Sequence, residues 1–372
     1  MVEGFVFYYL YLLSNCTVKI MNTNSRFPLY SPGRSADGIA SLTILVADLR
    51  KEQSILSLFH TDADGKLQQS EERAYPTSDF ASFADMANKY LTETNKEVQR
   101  ISVGVPGPVI FGRCETVHLP WALDCQEIKQ TLKVERVHLI NDMEAMAYSL
   151  AELEGTEMVP IHDTEKVMPG NVAILAPGNG LGEAGLFWDG SALRPFATEG
   201  GHTEFSPRNE FEVEFYQFLN KIYGIVSWEK ILSKDGIYNI YRFLRDIGRH
   251  TEDRAFSDRI NSGADFLDEL CSVGATGSSR LVNTTLEMYA ELLAREANYL
   301  ALKLKATGGL IISGEVTEKV RSFIDKDKFY ADFKFSDKME HLLKEIPIYF
   351  MFNSKAILKG AAYYGAVTED KC

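Results

Sequence analysis

Cysteine, positive charge and long apolar runs are all scarce in this 372-residue sequence. The cysteines are scattered and include no CxxC pair, which argues against a zinc site or a disulfide framework and favours a reducing cytoplasm. The formal net charge of −13 argues against a nucleic-acid-binding protein and against attraction to an anionic membrane surface. Internal repeats and low-complexity tracts are also absent. The five cysteines are Cys16, Cys114, Cys125, Cys271 and Cys372.

The apolar run near the N-terminus extends only from Phe5 to Leu13, whereas a helix that spans a bilayer needs about 20 residues. Glu3 is the only charge before this run, and a secretory signal would begin with basic residues. We interpret residues 1–40 as an N-terminal extension. Its first 20 residues are a misassigned start, a short buried strand or a tail that touches a membrane. The balance of hydrophobic and charged residues is that of a soluble globular protein.

Strand and helix patterns alternate along the rest of the chain, which predicts an α/β fold. A polar segment at residues 155–170 predicts a link between two units. We expect a small α/β domain at residues 41–153 plus 354–372, and a large α/β domain at 154–353. The predicted strands lie at 41–48, 54–60, 101–105, 137–140, 172–176, 184–188, 193–196, 308–314 and 346–352. The predicted helices lie at 79–94, 143–153, 286–304 and 357–365.

Gly180, Gly182 and Gly185 match the letters of the dinucleotide-binding fingerprint, but that motif must open a helix. Here the glycines lead into a hairpin pattern, so we reject a Rossmann interpretation. A glycine-rich turn after a strand can still bring backbone N–H groups close to an anion, or it can be a tight turn without a ligand. The density of glycines from Gly178 to Gly185 favours the ligand-binding interpretation.

Polar residues at three places could bind a hydroxylated substrate. Asn141 and Asp142 directly follow a predicted strand, where ligands gather in open α/β sheets. The Asp142 carboxylate could be a general base, although in isolation it is better explained as a helix N-cap. Glu199 and His202 flank two glycines, and such side chains hydrogen-bond sugar hydroxyls, but a lone histidine is more often structural. Glu229 in isolation is a solvated charge on a helix.

Together these segments resemble the bacterial hexokinase-like glucokinases from about Leu42 to about Gly365. The matching stretches, in the same order and spacing, are VPGPV (105–109), LPWALD (119–124), LIND (139–142), APGNGLG (176–182), EGGHTEFSP (199–207) and EKILS (229–233). The resemblance implies a two-domain actin-like ATPase (ribonuclease H-like) fold with glucose in a central cleft. It also implies ATP-dependent glucokinase activity with Mg²⁺, and a homodimer, since members of the family are often dimeric.

The resemblance implies roles for particular residues of this sequence. Asp142 would take the proton of the glucose 6-hydroxyl as that oxygen attacks the γ-phosphate, a reaction that depends mainly on positioning and charge neutralisation. The implied sugar-binding residues are Asn141, Asp142, Glu199, His202 and Glu229. The implied nucleotide-binding residues are Asp48, Gly178, Asn179, Gly180, Gly182 and Gly314.

The nucleotide-binding segments depart from the family pattern, whereas the sugar-binding residues are kept. After the position of Asp48 the family has two glycines and a threonine near the ATP phosphates, but this chain continues with LRKEQ. Arg50 or Lys51 could supply positive charge there, without the glycine backbone. Glu315 replaces the second of two paired glycines, and Asn179 replaces a threonine. Two hypotheses stay open: an ATP-dependent glucokinase, and a catalytically impaired sugar-binding protein with a regulatory or sensing role.

Overall fold

The computed structural model describes residues 26–30, 42–62, 66–116, 118–153, 157–164 and 168–368. They form two compact units. The first contains the residues up to Glu152, Ser191–Arg194 and the chain from Lys355 on; the second contains Leu153–Gly190 and Pro195–Ser354. The apolar run at 5–13 lies outside the described residues. Within the described ranges, no helix has the length and hydropathy needed to cross a membrane.

The strands and helices alternate as the sequence predicts. The strands are β1 (Thr43–Asp48), β2 (Gln53–Thr61), β3 (Leu67–Pro76), β4 (Arg100–Val105), β5 (Arg113–Cys114), β6 (Leu123–Asp124), β7 (Arg136–Asn141), β8 (Met158–His162), β9 (Val172–Pro177), β10 (Leu181–Trp188), β11 (Leu193–Thr198), β12 (Gly309–Ile312) and β13 (Ile348–Met351). The helices are α1 (Phe83–Thr94), α2 (Cys125–Leu132), α3 (Asp142–Tyr148), α4 (Glu210–Tyr223), α5 (Glu229–Leu232), α6 (Lys234–Asp246), α7 (Arg254–Asn261), α8 (Phe266–Thr276), α9 (Arg280–Leu304), α10 (Glu315–Val320), α11 (Lys326–Lys334), α12 (Glu340–Leu343) and α13 (Ala356–Val367). Short 3₁₀ turns lie at Thr77–Asp79, Ser149–Glu152, Gly200–His202 and Arg321–Phe323.

The first unit is built on a five-stranded sheet in the order β3-β2-β1-β4-β7. Strands β1, β4 and β7 are parallel, and all three are almost wholly buried because helices cover both faces of such a sheet. Helix α13 packs on α3 and on the sheet. It approaches α3 closely at Gly360, where a Cβ atom would lie 1.6 Å from the Ala145 carbonyl oxygen. This contact holds in place the helix that begins at Asp142.

The second unit is built on a six-stranded sheet in the order β11-β10-β9-β12-β13-β8. Its central strands β9, β12 and β13 are parallel and completely buried. The 25-residue helix α9 packs against β9 and against α6 and α11. Because β9 and β12 run in the same direction, their carboxyl ends meet at one edge of the sheet, where loops are free to bind ligands.

Most predicted elements are confirmed, and the differences have simple causes. The helix expected from residue 79 begins at Phe83, because Ser82 caps it and residues 77–79 form a separate 3₁₀ turn. The helix predicted at 143–153 ends at Tyr148 and continues as a 3₁₀ turn. Strands β3 and β8 and the two-residue strands β5 and β6 were not predicted. Strands β3 and β8 are edge strands with few buried side chains, so they lack the apolar pattern of a central strand.

Candidate functional site

Asn141, and not Asp142, caps helix α3. The Oδ1 atom of Asn141 accepts hydrogen bonds from the backbone N–H groups of Met143 (2.8 Å) and Glu144 (3.1 Å). Its Nδ2 donates to the Gly107 carbonyl oxygen at 3.0 Å, which ties β7 to the loop after β4. The N-cap interpretation of Asp142 is therefore wrong. Asp142 is the first helical residue, and a carboxylate at that position interacts favourably with the helix dipole.

Burial raises the pKa of two titratable groups near Asp142. Burial, together with the negative charge of Asp142, raises the pKa of the Cys114 thiol to about 11. Burial also raises the pKa of Glu144 to about 7. Cys114 is thus a neutral thiol at physiological pH, and Glu144 carries a proton for part of the time. Both effects limit the negative charge around Asp142.

Asp48 lies at the end of β1, with 1% of its surface exposed. Arg50 donates two hydrogen bonds to its Oδ2 atom, from Nε at 2.9 Å and from Nη2 at 2.6 Å. Burial raises the pKa of Asp48, and the Arg50 guanidinium opposes that rise. The arginine that could have supplied charge to phosphates is therefore bound to the carboxylate two residues before it.

The contacts of Asp48 bear on whether its carboxylate could be a ligand of a resident Mg²⁺ ion. Magnesium needs accessible oxygen ligands in a nearly octahedral arrangement. Asp48 is buried, and one of its oxygens already accepts two hydrogen bonds from Arg50. Within the described ranges, no group of three or more His, Cys, Asp or Glu side chains could hold a metal ion. Among the described residues, Asp48 in this arrangement therefore does not offer the open carboxylate oxygens that a resident Mg²⁺ would need.

In the second unit, the glycine-rich segment is the turn of the β9–β10 hairpin. Gly178 N–H donates to the Gly180 carbonyl oxygen at 2.8 Å, and Leu181 pairs with Pro177 across the hairpin. Lys234 N–H, at the start of α6, donates to the Gly178 carbonyl oxygen at 2.8 Å. A strand and not a helix follows the glycines, which confirms that this is not a Rossmann fingerprint. Asn179 is exposed at the tip of the turn, and Gly182 lies in β10 opposite Ala176.

Gly314 and Glu229 lie against the same turn. Gly314 follows β12 with a φ of +93°, and a Cβ atom there would be 2.3 Å from the Pro177 carbonyl oxygen. The Glu229 side chain is 18% exposed, and its Oε2 accepts a hydrogen bond from Leu181 N–H at 3.3 Å. A Cβ atom at Gly180 would be 2.7 Å from that same oxygen. Glu229 is therefore a half-buried carboxylate that touches the glycine turn, and its interpretation as a solvated charge is wrong.

Glu199 and His202 are exposed at the two ends of the short Gly200–His202 turn. His202 Nε2 lies 4.0 Å from Glu199 Oε2, and His202 N–H donates to the Glu199 carbonyl oxygen at 3.1 Å. Trp228 N–H donates to the Thr203 carbonyl oxygen at 3.0 Å, which joins this turn to the start of α5. The second unit thus links the segments of Glu199, His202 and Glu229 through backbone hydrogen bonds.

Sequence reasoning missed two groups around these segments. Lys234 supports the glycine turn with its backbone and pairs through Nζ with Asp265 at 2.7 Å. Glu183 lies in β10 with 2% exposure, and its Oε2 occupies the space beside Gly200. The sequence could have pointed to Glu183, because a glutamate inside the apolar strand LGEAGLFW would be buried and would need a partner. No sequence signal marks the contact between Lys234 and Gly178.

These segments all lie within the part of the chain that matches known proteins. The family model described as Glucokinase matches residues 45–368. A glucokinase of Nostoc sp. (strain PCC 7120 / SAG 25.82 / UTEX 2576) is 30% identical over 340 residues, which cover 87% of this chain and 99% of the relative. The crystal structure of a glucokinase from an Antarctic psychrotroph is similar with a TM-score of 0.74 and 25% identity, covering 88% of this chain and 99% of that one. A ROK family glucokinase from Streptomyces griseus, in complex with glucose and AMPPNP, is similar with a TM-score of 0.59 and 15% identity, covering 87% and 99% of the two chains.

Proposed function

The chain belongs to the glucokinase family and has its actin-like two-domain ATPase fold, and from this we propose that it transfers the γ-phosphate of ATP to the 6-hydroxyl of glucose. The observation that carries the proposal is the placement of Asp142. Its carboxylate stands at the carboxyl end of β7, and Asn141 has taken over the capping of α3. Asp142 Oδ1 accepts a hydrogen bond from Met143 N–H at 2.8 Å, which fixes the carboxylate at the first turn of α3, and ligands gather at the carboxyl ends of strands in such sheets.

In the proposed reaction, Asp142 accepts the proton of the glucose 6-hydroxyl. That oxygen forms a bond to the γ-phosphorus, the bond from this phosphorus to the bridging oxygen breaks, and ADP leaves. We assign the orientation of the sugar to Asn141, Glu199, His202 and Glu229. Carboxylates accept hydrogen bonds from vicinal hydroxyls, while an amide and an imidazole both donate and accept. Orientation supplies most of the rate in phosphoryl transfer, because little covalent chemistry is left for the protein.

We assign the nucleotide to the glycine turn of the second unit. A side chain at Gly178 would meet nothing within 4 Å, so this backbone can be approached closely. Asn179, Gly180, Gly182 and Gly314 complete the assignment. Asp48 can contact a nucleotide only after Arg50 moves away from it.

A second candidate function is supported by the two altered nucleotide segments. Arg50 occupies the Asp48 carboxylate, and Glu315 places a 57% exposed carboxylate in the first turn of α10. Helix N-termini attract phosphate, and a carboxylate at that place opposes the attraction. These features favour a protein that binds glucose without phosphorylating it, in a sensing or regulatory role.

The test of the proposed chemistry is the substitution Asp142→Asn. We expect it to reduce the formation of glucose 6-phosphate by about 100-fold or more, since general base catalysis contributes about 10²–10⁴. Glucose affinity should change little, because the amide keeps the size of the side chain and its acceptor oxygen. Turnover is measured with a coupled assay and glucose binding by calorimetry. Asp79→Asn, in the exposed 3₁₀ turn after β3, is the matched control. An Asp142→Asn protein with wild-type turnover would remove Asp142 from the role of base.

The same assays separate the two candidate functions. A kinase binds both glucose and ATP and makes glucose 6-phosphate. A sugar-binding protein without turnover shows a glucose isotherm and no heat with ATP, and Asp142→Asn then has no rate to reduce.

A further inference from the structure

Two carboxyl groups are buried together beneath the turn that carries Glu199 and His202. Glu183 points from β10 and Glu296 from the middle of α9, and they are 2% and 0% exposed. Apart from the contact that the two carboxyl groups make with each other, no hydrogen-bond donor in the described part of the chain reaches Glu183 Oε1 or either oxygen of Glu296. Lys303 Nζ approaches Glu296 Oε1 to 3.6 Å. Such burial is costly unless the charges are compensated.

Each of the two groups affects the pKa of the other. Burial, together with the charge of Glu183 and the hydrogen bond with it, raises the pKa of Glu296 to about 9. Burial also raises the pKa of Glu183, but the positive charge of Lys303 and the hydrogen bond from Glu296 oppose that rise. Both directions favour Glu296 as the protonated member of the pair. Lys303, half exposed on the same helix, balances the remaining negative charge.

The Glu183 carboxylate also lies directly beneath the Gly200–His202 turn. A Cβ atom on Gly200 would lie 1.8 Å from Glu183 Oε2, so the carboxylate fills the space that a side chain would take. Thr198 Oγ1 donates to the Glu183 carbonyl oxygen at 3.2 Å and accepts from Gly200 N–H at 3.2 Å. The next residue, Gly201, lies equally close to β10, because a Cβ there would be 2.2 Å from the Leu181 carbonyl oxygen.

We propose that Glu183, held in place by Glu296 and Lys303, is a positioning residue that fixes the Gly200–Gly201 backbone and thereby sets where Glu199 and His202 meet the sugar. This inference rests on the proposed function, because it assigns those two side chains to glucose. Replacing buried ionic groups by apolar ones is often neutral or stabilising. A buried acid pair in direct contact with a binding turn therefore has a purpose other than stability.

The experiment uses the full chain and two substitutions of Glu183. Glu183→Ala empties the space under Gly200, so we expect glucose affinity to fall about tenfold while ATP affinity is unchanged, since small displacements of positioned groups are costly. Glu183→Gln keeps the shape and should restore most of the glucose affinity. Hydrogen–deuterium exchange of the backbone at residues 199–205, measured without ligand, should be faster in Glu183→Ala than in the wild type. Glu287→Gln, an exposed acid on α9, is the control.

The two readouts separate this inference from the proposed function. An unchanged rate of hydrogen–deuterium exchange at residues 199–205 in Glu183→Ala would overturn the positioning role, regardless of any change in glucose affinity. Faster exchange together with a wild type that binds no glucose would retain the support of the turn and overturn the proposed function. Equal glucose affinity in the wild type and in Glu183→Ala would overturn the link from the turn to the sugar.

Discussion

Gly314 and Gly178 show how two glycines at the same edge of a sheet can have different tasks. Gly314 has a φ of +93°, in a region that residues other than glycine rarely adopt. A Cβ atom added there would lie 2.3 Å from the Pro177 carbonyl oxygen. Gly178 is not in that region and has open space where a side chain would be. The first glycine is required by the fold, while the second is dispensable for the fold and available to a ligand.

Alanine substitutions at these two glycines should therefore separate stability from binding. We expect Gly314→Ala to lower the free energy of unfolding by about 1–3 kcal/mol, because the new methyl group meets backbone and the φ is strained. Gly178→Ala should leave stability unchanged and weaken ATP binding, because the methyl group stands in the path of the nucleotide. Urea denaturation and ATP calorimetry measure the two effects. Equal stability of the two variants would contradict this assignment.

Residue identities could be predicted from the sequence better than residue contacts. The motifs around Asn141, Asp142 and Glu199 single out positions, because each polar residue follows a recognisable strand or glycine pair. The exchange of the capping role from Asp142 to Asn141 could not be predicted, since both residue types are good N-caps. The pairing of Arg50 with Asp48 depends on side-chain rotamers, which no spacing rule specifies.

At the scale of elements, the turn between β1 and β2 folds without the glycines of the family pattern. Within it, no residue from Leu49 to Gln53 has a positive φ. Thr77 holds it in place: its Oγ1 donates to the Arg50 carbonyl oxygen at 2.6 Å, and its N–H donates to the Glu52 carbonyl oxygen at 3.1 Å. The turn is thus an ordinary, well-anchored connection, and its loss of glycine is compensated structurally.

Restoring the family pattern in this turn with the triple substitution Arg50→Gly, Lys51→Gly and Glu52→Thr tests its effect on the nucleotide. We expect ATP affinity to rise, because Arg50 no longer pairs with Asp48 and the glycine backbone can approach the phosphates, and this gain outweighs the net loss of one positive charge. Stability should fall by about 1–2 kcal/mol, less than for a fully buried pair, because Arg50 is half exposed. Calorimetry and urea denaturation provide the measurements, with Lys51→Gly alone as the control. If ATP affinity stays the same, the altered turn is not what limits nucleotide binding.

The elements themselves were predictable where they are central and not where they lie at an edge. Runs of apolar residues predict buried strands such as β1 and β9, and the helical spacing of apolar residues predicts long amphipathic helices such as α9. Strands β3 and β8 carry mostly exposed or half-buried residues, and pairing with a neighbour, not composition, makes them strands.

For the whole molecule, buried acids make stability depend on pH. The pKa of Glu296 is raised to about 9 by burial and by its neighbour Glu183, and the pKa of Glu144 is raised to about 7 by burial. When a folded-state pKa lies above the unfolded one, the folded protein binds more protons between the two values. The free energy of unfolding therefore falls as the pH rises, from about 4.5 to about 7 for Glu144 and to about 9 for Glu296.

Substitution of Glu296 should expose this dependence directly. We expect Glu296→Gln to be more stable relative to the wild type at about pH 8.5 than at about pH 6, by roughly 1 kcal/mol or more, because the amide cannot ionise. Glu183 and Lys303 face this group and remain unchanged in the variant. Urea denaturation at both pH values gives the comparison, with Glu287→Gln as control. Parallel pH profiles for the wild type and Glu296→Gln would show that Glu296 does not titrate in this range.

The most direct test of glucose phosphorylation is the appearance of glucose 6-phosphate when the purified wild-type chain is mixed with glucose and ATP in magnesium buffer. We expect product to form in proportion to enzyme and in equal amount to ADP. Glucose binding in calorimetry without any product at saturating ATP would contradict the kinase and leave the sugar-binding function.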